Sequence, residues 1–129
     1  MESSAGDLNL KDKARTYIQA ALDLIERADA ELRKGDLRQA SEKIWGAAAL
    51  ALKAHACWRG KGRLASHREL WEYEADLAKE LGEWVNDSWY AANAMHANFC
   101  EGWADRDGVE GALRRVKKLV KAIAGLIGA

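Results

Sequence analysis

The sequence predicts an all-α protein, an antiparallel up-and-down bundle of about five helices, on three observations. Its 129 residues contain no proline, so the commonest helix breaker is missing. Apolar residues recur at helical spacing through five stretches, and none alternates with the period of a strand. The links between these stretches are short, which makes sequential helices antiparallel neighbours. Hydrophobic residues at 49% with charged residues at 31% describe a globular chain rather than a disordered one.

The first helix is expected from Leu8 to Lys34, with Ala14, Ile18, Ala21, Leu22, Ile25, Ala28 and Leu32 on its inner face. Gly35 suits a C-cap and Asp36 an N-cap, so the chain turns tightly there. The second helix follows from Leu37 to about Trp58; between Ile44 and Leu52 it is apolar nearly all round, the mark of a central helix. Arg59 to Arg63, reading RGKGR, forms a glycine-rich basic loop. Ser66 with Glu69 three positions on is a capping box that starts a third helix. Leu70, Tyr73, Leu77 and Leu81 line its inner face, and Gly82 ends it.

A fourth helix is expected from about Glu83 to Glu101, with Val85, Trp89, Ala92, His96, Cys100 and Trp103 as its stripe and Asn98 pointing away. Asp105 or Asp107 caps the last helix, which faces inward through Val109, Leu113, Val116, Leu119, Val120 and Ile123. Length implies one domain, residues 7–127. Residues 1–6 are small and polar and are expected to be a disordered terminus. The chain start has no basic-then-apolar signal pattern, and no apolar run approaches the roughly 20 residues that span a bilayer, so the expected location is the cytoplasm.

Charge is segregated although lysine plus arginine equal aspartate plus glutamate, 20 of each. Between Glu42 and Glu69 there is no acid, while Lys43, Lys53, Arg59, Lys61, Arg63 and Arg68 all fall there. From Glu69 to Glu110 acids dominate, opposed by Lys79 and Arg106. Arg114, Arg115, Lys117, Lys118 and Lys121 then make a second basic block. Segregated charge creates local potential at zero net charge and points to an anionic ligand or a partner surface.

The strongest candidate for anion binding is the loop with the start of the third helix. Arg59, Lys61 and Arg63 precede the N-terminus at Ser66, followed by His67 and Arg68, and helix N-termini attract phosphate through unpaired N–H groups. A solvated basic loop is the alternative. It is not a P-loop, because it follows a helix and lacks GK[ST]. On the second helix Glu42, Gly46, Ala49 and Lys53 share one face, either a ligand groove or a close helix contact. His96 is the catalytic candidate, set against a core histidine on an aromatic stripe; His55 is expected to be structural. Cys57 and Cys100 are expected as buried free thiols, with a disulfide open to a hyperthermophilic source. No spacing suggests a metal or cofactor, so none is expected. Of the six tryptophans, one or two could be stacking platforms or dimer anchors.

Three motifs in order, Gln39 to Ala48 (QASEKIWGAA), Ser66 to Trp71 (SHRELW), and Met95 to Phe99 (MHANF) with Glu101-Gly102-Trp103, resemble the PaREP family of archaeal proteins. That family looks like a branch of the HEPN helical domains, which implies a four- to five-helix bundle that dimerises. HEPN domains include metal-independent RNases with an arginine separated from a histidine by four to six residues; others bind nucleotides or pair with a nucleotidyltransferase. At the corresponding positions before His96 stand Ala91, Tyr90 and Trp89, and Arg63 and Arg59 lie at the wrong gaps before His67. The resemblance therefore implies a non-catalytic or diverged domain binding a nucleotide or RNA as a homodimer. The alternatives are an RNase using His96 and an interaction module with a nucleotidyltransferase partner.

Overall fold

The computed structural model describes residues 2–128, with side chains described for residues 9–128. Five helices follow one another, α1 (Glu2–Lys34), α2 (Leu37–Trp58), α3 (His67–Leu81), α4 (Trp84–Glu101) and α5 (Arg106–Ile127), with no strand among the described residues. The disordered start expected at residues 1–6 lies outside the described side chains. The predicted all-α bundle is the fold.

Local chemistry sets the boundaries. At the α1–α2 turn Gly35 takes a left-handed φ of 85°, its N–H reaches Leu32 O at 3.0 Å, and Asp36 N–H reaches Glu31 O at 2.9 Å. This closes α1 on a conformation that favours glycine. The Asp36 carboxylate then accepts from Gln39 N–H at 3.1 Å and opens α2. Ser66 accepts from Glu69 N–H at 3.1 Å, and Asp105 from Gly108 N–H at 2.8 Å.

α1, α2, α4 and α5 enclose the core, and α2 touches all four other helices. Its alanines Ala40, Ala47, Ala48, Ala51 and Ala54 are fully buried; small side chains let several helices approach one axis. Gly46 faces α1, where an added Cβ would lie 3.1 Å from Leu24 Cδ1. The small-residue face of α2 is therefore a close helix contact. α3 is the outlier, touching only α2 and α4 among the described residues. No described helix is long and apolar enough to cross a membrane.

α4 is rotated from its expected setting. Val85, Trp89 and Ala92 are buried as predicted, but Met95 and Asn98 follow them inward, while His96, Cys100 and Trp103 are exposed. The cause is polar. Asn98 Nδ2 donates to Ser41 Oγ at 2.9 Å, its Oδ1 accepts from Ala104 N–H at 2.7 Å, and Ser41 Oγ also donates to Leu37 O at 2.7 Å. A buried amide with both ends satisfied fixes the helix more firmly than a continuous aromatic stripe would. Arg38 adds two bonds to the end of α4, to Phe99 O at 2.9 Å and Cys100 O at 2.7 Å.

Candidate functional site

The cations of the acid-free block part company in the folded chain. Arg59, at the end of α2, donates to both oxygens of Glu80 at 2.8 and 2.6 Å, and this guanidinium holds the Glu80 carboxyl below its ordinary range. A concavity of about 520 Å³ opens there, where Arg59, Lys61 and Arg63 face Glu69, Glu72, Asp76 and Glu80. The loop thus meets the acidic side of α3, so most of its charge is balanced within the chain. Arg68 is exposed, with Glu72 at 4.0 Å.

The N-terminus of α3 is occupied by the chain's own groups. Ser66 Oγ accepts from Glu69 N–H, and Glu69 Oε1 accepts from Ala65 N–H at 3.1 Å and from Ser66 Oγ at 3.2 Å. This is the expected capping box, and its carboxylate lies where an incoming phosphate would otherwise find N–H groups. Glu42 is exposed on α2, three residues before Trp45.

A second concavity gathers cations, and Arg63 borders it as well as the first. Lys13 of α1, Lys53 of α2 and Arg63 of the loop line a space of about 210 Å³ with Tyr17, Cys57 and Leu64, and among the described residues no carboxylate lines it. None of the three cations takes part in an ion pair among the described residues; those near the loop are Arg59–Glu80 and Arg68–Glu72. Burial raises the Cys57 thiol, and Lys13 opposes that shift. Sequence reasoning found Lys53 and Arg63 but missed Lys13, which lies outside the acid-free block. Leu10, Lys13 and Tyr17, spaced three and four apart on one helix face, were the available signal.

The third grouping is aromatic. His67 opens α3 and His96 sits on α4; both are exposed. Their ring centres lie 5.7 Å apart, and both stack on Trp45 of α2, at 5.5 and 4.6 Å. Trp45 also meets Trp89 at 5.3 Å, and Trp71 joins Trp89 at 5.6 Å and Tyr90 at 5.3 Å. His96 is thus a surface group held on an indole rather than a core histidine. Trp45, His67 and His96, which come from three different motifs named above, meet here.

Buried polar groups lie beneath. His55 is fully buried and bonds Tyr73 Oη through Nδ1. Burial first, and Arg59 second, lower its pKa to about 4, so the ring is neutral. Burial likewise raises Tyr73 to about 12. Glu74 of α3 is only 2% exposed, its Oε2 has no partner, and burial with Glu83 nearby raises it to about 7. Cys57 is a buried free thiol as expected, but Cys100 is exposed because α4 is rotated. Among the described residues no group of three or more His, Cys, Asp or Glu side chains is placed to hold a metal.

Residues 16–120 match the archaeal PaREP1/PaREP8 family. The chain belongs to that family. A crystal structure of a Sulfolobus solfataricus protein is similar to this PaREP1/PaREP8 chain, with a TM-score of 0.74 and 28% sequence identity over 82% of this chain and 94% of that one. No curated protein matches.

Proposed function

We propose that this PaREP1/PaREP8 protein binds a phosphate-bearing ligand, a nucleotide or RNA, and that it does so as a homodimer without catalysing a reaction. The observation that carries the reading is the meeting of Lys13, Lys53 and Arg63 around a concavity with no acidic lining among the described residues. Like charges at close range repel, and a bound phosphate relieves that repulsion while accepting charge-assisted hydrogen bonds. Arg59 is paired with Glu80, so the reading rests on the other three cations. For the dimer, the support is the adjoining Trp71 and Tyr90, the latter 62% exposed, since aromatic anchors are enriched at interfaces.

The test is fluorescence anisotropy with a labelled single-stranded RNA and with a fluorescent nucleotide, repeated as salt is raised. Wild-type binding should weaken with salt. The Lys13→Ala/Lys53→Ala/Arg63→Ala variant should bind more weakly and with a shallower dependence, by about 0.7 in the log–log slope per lost contact to a single strand. An unchanged slope in that variant overturns the assignment. Light scattering gives the oligomeric state, and a monomer at binding concentrations removes the dimer.

A second reading, metal-independent RNA cleavage using His96, is favoured by one observation: His67 stands beside it. Two imidazoles can act as base and acid toward a 2′-OH and its leaving oxygen. Intact RNA after long incubation with excess protein and chelator rules this out.

A further inference from the structure

We propose that His67 and His96 together chelate a transition-metal dication of the zinc, nickel or copper class beside the Trp45 indole. The two imidazoles come from different helices, and each is fixed by stacking on the same half-buried ring. The one hydrogen bond of a histidine ring among the described residues belongs to His55, so the ring nitrogens of His67 and His96 are open to a ligand.

The spacing suits shared coordination. A metal–nitrogen bond of about 2.0–2.1 Å places the ion roughly 3.2 Å from each ring centre, so two imidazoles on a tetrahedral ion have centres about 5 Å apart. The observed 5.7 Å is closed by small side-chain rotations within one rotamer well, which leave both rings on Trp45. Stacking on Trp45 reduces the rotamer freedom lost on chelation.

The donor set selects the class of ion. Neutral imidazole suits zinc, nickel and copper, whereas magnesium and calcium require oxygen ligands. Two protein ligands leave coordination positions open to water or to an anion, as in zinc sites that are not closed. Cys100 lies four residues after His96 and is exposed. A His96–Cys100 pair on one helix face is therefore the rival arrangement.

The experiment uses the untagged full chain titrated with Ni²⁺ by calorimetry, with Mg²⁺ as control, for wild type, His67→Ala, His96→Ala and Cys100→Ser. The expected result is one Ni²⁺ per chain, no Mg²⁺ uptake, and affinity at least about tenfold lower in each histidine variant, because chelation falls to a single ligand. Cys100→Ser should match wild type. Quenching of tryptophan fluorescence by Ni²⁺ should be strong in wild type and reduced in both histidine variants. His67→Gln and His96→Gln, with melting curves, separate ligand loss from altered folding.

Parity of His67→Ala with wild type overturns the proposal, whether the ion then follows Cys100 or another group, and so does absence of Ni²⁺ binding to wild type. The site is distinct from the Lys13, Lys53 and Arg63 concavity, and either can fail without the other. A metal held by both rings would also remove them from proton transfer, so metal binding and cleavage by these histidines exclude one another.

Discussion

Replacing Glu74 with glutamine should make the protein more stable in alkaline than in acidic solution relative to wild type. The carboxyl is buried on α3 with one oxygen unpartnered, and its pKa rises from 4.5 to about 7. A carboxyl raised on folding is held in its neutral form, so its stabilising contribution is complete below pH 4.5. That contribution declines between 4.5 and 7 and is gone above the folded value. A shift of this size corresponds to about 3 kcal/mol at about 1.4 kcal/mol per unit.

The wild-type curve alone would hide this effect. His55, lowered from 6.5 to about 4, works in the opposite sense: its contribution is present above 6.5 and is lost as pH falls toward 4. The two slopes overlap and largely cancel. The informative quantity is the difference in unfolding free energy between Glu74→Gln and wild type, measured by urea denaturation at a series of pH values. It should rise by about 3 kcal/mol between pH 4.5 and above pH 7, superimposed on a constant offset from the amide. A difference that stays flat across this range refutes the assignment of a neutral buried acid.

Three further outcomes follow from the packing. Asn98→Ala leaves Ser41 Oγ and Ala104 N–H without the partner they share and should cost about 2–3 kcal/mol by urea denaturation; Asn98→Asp should recover part of this. Gly46→Leu should cost roughly 1–3 kcal/mol because the new side chain is driven into Leu24. Gly46→Ala should be nearly neutral, since Leu24 can yield at its flexible end while helix propensity improves by about 1 kcal/mol. Cys100 should react with a thiol reagent at once, and buried Cys57 only as the protein opens; equal rates would contradict the rotation of α4.

The helices and turns were legible because their causes are local. Asp36, Ser66 and Asp105 cap helices through bonds within three residues of themselves, and such signals survive without knowledge of the fold. The rotation of α4 was not legible. Met95 and His96 are equally good continuations of a stripe through Ala92, and the choice is made by Ser41, more than fifty positions away in sequence. The candidate site divides in the same way. The basic block could be seen in the sequence, but the neutralisation of Arg59 depends on Glu80, 21 positions on, and the grouping of Arg63 with Lys13 and Lys53 depends on how the helices pack. The pairing of His67 with His96 had no local signal, since neither lies within a helical turn of the other.

The peripheral position of α3 has a thermodynamic consequence. A helix that touches only two neighbours can detach while the other four remain closed, so its opening lies at the low end of the local stabilities. That one movement would part His67 from His96, break Arg59 from Glu80 and hydrate Glu74. A proton on Glu74 and an ion between the histidines would then act on the same equilibrium. Each favours the closed helix, so by reciprocity each strengthens the binding of the other.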